Sequence, residues 1–138
     1  MVSSDANDVV IVGAGSAGLS VSHFLQQAGV GHVVLERGEI GESWRSQRWD
    51  SFRVNTPNHH NALVGAPYSG PEPDTFPSQF DLVEDWEAYA ARQNLPVRTH
   101  TAVGHVGPSS EGGFEVNVEG RDGLSHIIRT GHVVVAAG

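Results

Sequence analysis

The sequence contains neither cysteine nor lysine, and each absence removes a class of chemistry. Without cysteine, the chain can form no disulfide, no thiolate-bound metal site and no redox-active dithiol of the kind that disulfide reductases use. Without lysine, it has no amine for Schiff-base chemistry and no lysine of the Walker type for binding phosphate. Any chemistry in these residues therefore depends on other groups.

Positive charge and long apolar runs are also scarce. Eight arginines stand against 16 acidic residues, a net charge of −8, which argues against nucleic acid as a partner. No apolar run approaches the length of a bilayer span, and the first residues lack the basic start and apolar core of a signal peptide. We therefore expect a cytoplasmic protein with no membrane partner.

The composition is that of a globular domain. Hydrophobic residues make up 38% of the chain and charged residues 17%, which excludes a disordered segment. A length of 138 residues suits a single domain but is short for a complete enzyme that binds two nucleotides. Eight histidines are present, but their spacing is not that of a metal site, and we expect none.

A glycine-rich turn follows the first apolar segment. Val9–Val12 is an unbroken apolar run, typical of a parallel strand buried on both faces. The pattern Gly-x-Gly-x-x-Gly comes directly after it, at Gly13, Gly15 and Gly18. In such a turn the first glycine permits the bend, the second lets backbone approach a pyrophosphate, and the third lets helix and strand pack closely. The pattern predicts a dinucleotide-binding βαβ unit over residues 8–37, the alternative being a glycine turn in an unrelated α/β domain.

The helix that this turn opens is predicted from Ser16 to Gln27, with Gly29 as its stop. Its apolar positions are Leu19, Phe24, Leu25 and Ala28. The free N–H groups of its first turn carry about half a unit of positive charge, which suits a diphosphate. We therefore expect Ser16 and Ala17, together with the glycines, to contact a bound dinucleotide.

An acidic residue ends the second predicted strand. That strand is His32–Leu35, and 17 residues separate Gly18 from the Glu36 that follows it. A carboxylate at this distance can accept both hydroxyl protons of an adenosine ribose. It would also repel a 2′-phosphate, so the site suits FAD or NAD and not NADP.

Arginines cluster directly after Glu36. Half of them fall within 17 positions, at Arg37, Arg45, Arg48 and Arg53. They form either a solvated loop or an electropositive rim near the cofactor's pyrophosphate, and both interpretations stay open. Arg37 and Arg45 are counted among the expected cofactor contacts.

Residues 38–79 show no helical periodicity and are rich in glycine, proline and aromatic residues. A long irregular connection inside a compact domain is usually functional. We expect a loop that contacts the cofactor, because exposed aromatic rings are unfavourable in water and a planar cofactor would cover them. The aromatic residues in and just after this segment are Trp44, Trp49, Phe52, Tyr68, Phe76 and Phe80.

Residues 80–138 predict a helix, a β-meander and a returning strand. Ser78 and Asp81 give a capping-box pattern for a helix that stops at Asn94. The apolar stripe of this helix is Leu82, Val83, Trp86, Tyr89 and Ala90. Strands are predicted at Val97–Thr99, Ala102–Val106, Phe114–Glu119, Ser125–Arg129 and His132–Gly138. The fold class is therefore α/β, a Rossmann-like parallel sheet with an antiparallel β-meander.

Two segments give the sequence a specific resemblance. Ile40–Arg45 and Arg48–Pro57 resemble the segment that follows the first strand pair in flavin-containing monooxygenases, a class that includes N-oxygenases and Baeyer–Villiger-type enzymes. In that family a Gly-Gly-Thr/Ser-Trp turn lies along the flavin, and an Asn-Thr segment places an asparagine beside its reactive edge. The resemblance assigns the turn to Gly41, Ser43 and Trp44, and it assigns the catalytic asparagine to Asn55.

The resemblance extends to the last strand. In the family this strand ends in Ala-Thr-Gly with its tip near the pyrophosphate, and here Ala137 replaces the threonine before Gly138. Val103, Ala137 and Gly138 are accordingly expected to contact the cofactor. We expect residues 1–138 to form one FAD-binding domain, the amino-terminal portion of a family member, ending before a second dinucleotide-binding domain.

By resemblance, the function is that of an FAD-dependent oxidoreductase. It would use NADPH or NADH with O2 to oxygenate a small organic substrate, with a homo-oligomer or a completing domain or subunit supplying what the chain lacks. Two alternatives stay open. One is a non-catalytic FAD- or NAD-binding module or subunit, and the other is a fragment of an NAD-dependent dehydrogenase.

Overall fold

The structure, a computed structural model, describes the backbone of residues 2–138 and the side chains of residues 7–138. Along the described residues the order of elements is β1 (Val2–Val12), α1 (Ser16–Gln27), β2 (His32–Leu35), α2 (Glu42–Ser46), α3 (Asn58–Asn61), α4 (Gln79–Arg92), β3 (Val97–Arg98), β4 (Ala102–Pro108), β5 (Phe114–Glu119) and β6 (Ser125–Val135). The α/β class is confirmed, as are the bounds of α1, β2 and β5.

The strands form one six-stranded sheet in the order β3-β2-β1-β6-β5-β4. β1 is central and pairs in parallel with β2 and with β6, and β2 pairs in parallel with β3. Val12 lies opposite both Leu35 of β2 and Val135 of β6. Because the three strands end at the same level, the residues that follow them meet at one edge of the sheet.

β6 corrects the prediction of two separate strands at Ser125–Arg129 and His132–Gly138. It is one continuous strand whose first half lies between β5, with which it pairs antiparallel, and the start of β1, and whose second half pairs in parallel with β1. The single hydroxyl hydrogen of Thr130 is shared between the carbonyls of Asn7 and His132, at 3.0 and 3.1 Å, at the point where pairing with β5 ends and pairing with β1 continues. Pairing on both sides keeps Thr130 and Gly131 extended, although they look like a break in the sequence.

The parallel sheet is covered on both faces, as the apolar run at Val9–Val12 predicts. On one face, buried side chains of β1 and β2 pack with α1, α4 and the segment after α2: Val9, Ile11, Leu19, Val34, Val54, Leu82, Trp86 and Tyr89. On the other face the meander supplies the cover, with Val10, Val33, Leu35, Val116, Val118 and Ile128. The glycine turn after β1 is therefore anchored in two cores.

The two long helices match their predicted patterns in different degrees. The capping box of α4 is confirmed, since Ser78 Oγ accepts from the backbone of Asp81 and the Asp81 carboxylate accepts from the Ser78 N–H, both at 3.1 Å. Its apolar stripe is buried throughout. Of the apolar positions of α1, Leu19 is buried, whereas Phe24 is 56% exposed. Ser22 is buried instead, because its hydroxyl hydrogen-bonds His32 Nε2 at 2.7 Å.

Residues 38–79 are not wholly irregular, because they contain the short helices α2 and α3. Helices of five and four residues are too short to show a helical period in the sequence. Phe52 and Trp44 pack against the core, whereas Trp49 is 64% exposed and Phe76 49% exposed. Among the described residues, no helix is both long and apolar enough to cross a bilayer.

Candidate functional site

The three glycines of the turn have different roles. Gly13 has φ +107°, and a Cβ there would lie 2.3 Å from the Ala136 carbonyl oxygen. A Cβ at Gly18 would lie 1.9 Å from the Gly13 carbonyl oxygen. A Cβ at Gly15 would meet nothing within 4 Å. Packing within the protein therefore requires the first and third glycines, while the second leaves open space beside the start of α1.

The open space at Gly15 belongs to a cavity of about 230 Å³ at the ends of β1, β2 and β6. A neighbouring cavity of about 400 Å³ shares five residues with it, which are Gly13, Glu36, Arg37, Ala137 and Gly138. We call the two adjoining cavities the cleft, and Glu36 lines both of them. This is the edge of a parallel sheet where ligands generally bind in α/β folds.

Most of the residues predicted to contact a cofactor line this cleft. The first cavity is lined by Gly13, Gly15, Ser16, Ala17, Glu36, Arg37, Gly41, Ser43, Trp44, Ala137 and Gly138, and the second by Val103. Gly18, Arg45 and Asn55 are not among the lining residues. Asn55 is exposed, next to buried Val54. Its assignment as the catalytic residue stays a prediction.

Glu36 lies at the junction of the two cavities and is only 8% exposed. One carboxylate oxygen accepts from the Ala14 N–H at 2.9 Å and the other from the Gly38 N–H at 3.0 Å. The end of β2 is fixed as well, because the Glu36 N–H donates to the Arg98 carbonyl and the Glu36 carbonyl accepts from the Thr101 N–H. Each carboxylate oxygen keeps a free lone pair, so the side chain can still accept from a ligand hydroxyl.

Ala14 is a site residue that was not predicted from the sequence. It is fully buried, its N–H donates to Glu36, and its carbonyl accepts from the Gly41 N–H at 3.0 Å. One peptide thereby connects the glycine turn to Glu36 and to the start of α2. No side-chain signal could have revealed it, since any residue offers the same backbone groups. Glu42, Ala136, Thr101 and Ala102 also line the cleft without having been predicted.

The turn from Gly38 to Gly41 is closed by Glu42. Its carboxylate accepts from the Glu39 N–H at 2.9 Å, and its own N–H donates to the Glu39 carbonyl at 3.0 Å. A Cβ at Gly38 would lie 2.6 Å from the Glu42 side chain, so a larger residue there would displace that carboxylate from the turn. Hydrogen bonds within the protein therefore hold this turn, which lines the cavity through Gly41 and Glu42.

The arginines after Glu36 separate into different environments. Arg37 lines both cavities. Arg45 turns away, donating to the Ile40 carbonyl at 3.1 Å and pairing with Glu87 of α4, while Arg53 donates to the Phe76 carbonyl at 3.4 Å. Of these three, only Arg37 fits an electropositive rim.

The start of α1 offers unpaired donors to the cleft. Gly15 is its N-cap, and no side chain of the described residues caps it or adds an acid to its first turn. The first N–H groups of a helix need acceptors from outside the helix. With the open position at Gly15, these donors fit a diphosphate, and Glu36 fits a ribose.

Replacing Glu36 with alanine is expected to lower both the affinity for FAD and the stability of the protein. FAD affinity should fall by about 1–3 kcal/mol, the usual effect of removing a charged hydrogen-bond partner. The free energy of unfolding should fall by a similar amount, because the buried N–H of Ala14 loses its acceptor. Titration with FAD and urea denaturation measure the two effects, with Glu84→Ala on the exposed face of α4 as the control. An unchanged FAD dissociation constant would show that Glu36 does not reach the ligand.

Glu39, in the turn between Gly38 and Gly41, is hydrogen-bonded to His100. His100 Nε2 lies 2.5 Å from a carboxylate oxygen of Glu39, and the hydrogen bond from His100 lowers the pKa of Glu39 below its ordinary value of 4.5. A carboxyl group with a lowered folded-state pKa contributes stability above its unfolded pKa and loses it as the pH falls through the folded pKa. Wild type should therefore exceed Glu39→Gln in unfolding free energy at neutral pH, with the difference shrinking below pH 4.5.

The measurement is urea denaturation at several pH values. His100→Asn should give the same loss, and asparagine suits the φ of +50° at this position. A difference between wild type and Glu39→Gln that persists unchanged in acid would contradict the expected linkage.

Residues 10–138 match the pyridine nucleotide-disulphide oxidoreductase family. The chain belongs to this family. The match covers the residues that line the cleft, from the last three residues of β1 through the end of β6 to residue 138. Residues 1–138 contain no cysteine, so they hold no redox-active disulfide.

Several known proteins are similar to the chain over most of its length. An uncharacterized oxidoreductase CzcO of Bacillus subtilis (strain 168) is 32% identical over 97 residues, which are 70% of this chain and 28% of that protein. A flavin-containing monooxygenase from Stenotrophomonas maltophilia has a TM-score of 0.74 at 27% identity, over 96% of this chain and 38% of its own. A steroid monooxygenase solved in its oxidized form with NADP has a TM-score of 0.76 at 26% identity, over 96% of this chain and 26% of its own. The chain thus spans between about a quarter and two fifths of the length of these relatives.

Proposed function

We propose that this chain is the FAD-binding part of a flavin-dependent monooxygenase that uses NADPH or NADH and O2 to oxygenate a small organic substrate. The observation that supports this most is the cleft at the glycine turn, where Gly15 is open, the start of α1 is uncapped and Glu36 is held against the turn. Similarity to a flavin-containing monooxygenase and to a steroid monooxygenase with NADP supports the reaction class.

The residues of the chain have distinct roles in this proposal. The N–H groups at the start of α1 bind the diphosphate, Glu36 accepts the ribose hydroxyls, and the cavity-lining residues from Gly41 to Trp44 cover the next part of the cofactor. Bound flavin supplies the redox chemistry with the nicotinamide nucleotide and oxygen. The protein orients it and keeps water from it. Asn55 is proposed to act at the reactive edge of the flavin.

Cofactor content tests the proposal. The purified protein should be yellow, show a flavin absorbance spectrum and release FAD when it is denatured. A colourless protein that binds NAD and not FAD would contradict the proposal and favour a dehydrogenase fragment. NADPH or NADH oxidation coupled to oxygen consumption separates the monooxygenase from a module that binds FAD without catalysis. A cytoplasmic location and a homo-oligomer or completing domain are part of the same proposal.

A further inference from the structure

Arg48 lies over an aromatic wall of the cleft. Its guanidinium carbon is 4.6 Å from the ring centroid of Trp44 and 5.6 Å from that of Phe52. Trp44 lines the first cavity, and Arg48, which contacts the indole, does not. In the sequence, Arg48 is one of a cluster of four arginines and has no individual role.

The indole of Trp44 is supported from further sides by other rings. Its centroid is 5.8 Å from that of Phe52 and 6.3 Å from that of Trp86, with which it makes an edge contact at 83°. Trp86 is buried in α4 and also contacts the space beside Gly41. Three neighbours, two aromatic and one cationic, therefore fix one ring.

Arg48 forms no ion pair within the part of the chain whose side chains the structure describes. Among the described residues, no carboxylate pairs with it, and its guanidinium donates to the Gln47 carbonyl at 3.2 Å. Arg45, three positions earlier, is paired with Glu87. A cation over an indole face within about 6 Å is attracted by the electron density of the ring, and this attraction is stronger for arginine with no competing carboxylate.

We propose that Arg48 is a positioning residue that acts through Trp44, holding the indole as a preformed wall of the FAD cavity. This inference rests on the proposed function, because FAD is the ligand that the wall receives. A side chain that is ordered before binding does not lose its rotational freedom on binding, so the ligand binds more tightly. Arg48 itself touches no part of the cavity.

The dissociation constant for FAD in a double-mutant cycle tests this proposal. Arg48→Met keeps the length of the side chain and removes its charge, and it should raise the FAD dissociation constant about fivefold, which is about 1 kcal/mol. Arg48→Lys should recover part of that loss because it restores the cation. In a Trp44→Leu background, Arg48→Met should change the dissociation constant by less than about twofold, since the ring through which it acts is gone.

A matched control removes an equal charge elsewhere. Arg92→Met, in the last turn of α4 and outside the cleft, should bind FAD as wild type does. Far-UV circular dichroism and the urea midpoint of each variant report whether the fold is kept. A fivefold effect of Arg48→Met that persists in the Trp44→Leu background would overturn the proposal, and so would wild-type affinity in Arg48→Met. A wild-type protein that binds no FAD would overturn the proposed function and this inference with it, which sets that result apart from the other two.

Discussion

Replacing Gly15 with valine should abolish FAD binding and leave the protein folded. Gly15 has φ −88° and ψ −167°, an extended conformation that any residue adopts, and a Cβ there meets no protein atom within 4 Å. The branched side chain would instead occupy the space where the diphosphate meets the start of α1. We expect a loss in affinity of about a hundredfold or more, about 3 kcal/mol, because neither the diphosphate nor the helix can move aside.

The control for this substitution is another open glycine. Gly104 in β4 also has no atom within 4 Å of an added Cβ and does not line the cleft. Gly104→Val should therefore bind FAD with wild-type affinity. Absorbance of bound flavin after gel filtration measures occupancy, and circular dichroism measures folding. Full occupancy in Gly15→Val would show that the diphosphate lies elsewhere.

Replacing Gly18 with alanine should strongly lower the stability of the protein, whereas Gly15→Val should leave the protein folded. The added methyl carbon would lie 1.9 Å from the Gly13 carbonyl oxygen and 3.0 Å from its carbon, and both are backbone atoms. The added methyl group fits only if α1 moves away from the turn, so the free energy of unfolding should fall by about 2–4 kcal/mol. Urea denaturation measures the change.

Gly15→Ala is the matched comparison, because the same methyl group enters open space there. It should leave the free energy of unfolding within about 0.5 kcal/mol of wild type. If Gly18→Ala were as stable as Gly15→Ala, the close approach of helix and turn would not exist in solution. The pair thus separates the glycine that the fold requires from the glycine that the ligand requires.

Patterns that depend on neighbouring residues were predictable from the sequence. The bounds of α1 follow from the glycine turn before it and Gly29 after it, and the start of α4 follows from the Ser78–Asp81 capping pattern. The register that brings Gly13, Glu36 and Ala137 to one edge follows from the parallel order of three apolar strands. Most of the cleft was therefore predictable from residue type and spacing.

Features that depend on distant partners were not predictable. Arg45 was expected at the cofactor, but Glu87, 42 positions away, pairs with it instead. Ser22 is buried on α1 through its hydrogen bond to His32 on the neighbouring strand, while the apolar Phe24 is exposed. Ala14 contributes to the site through its backbone N–H, which the residue type does not reveal because nearly every residue has one. In each case the deciding partner comes from a different element.

The continuity of β6 joins two parts of the protein into one cooperative unit. Its first half belongs to the meander, while its second half leads through Ala136 to Gly138 in the cleft. Opening of the hairpin between β5 and β6 would strain the strand that ends beside the ligand. Occupancy of the cleft should therefore slow amide hydrogen exchange in β5, although no residue of β5 lines the cleft. A ligand at one edge of the sheet would in this way lower the opening rate of strands on the far side.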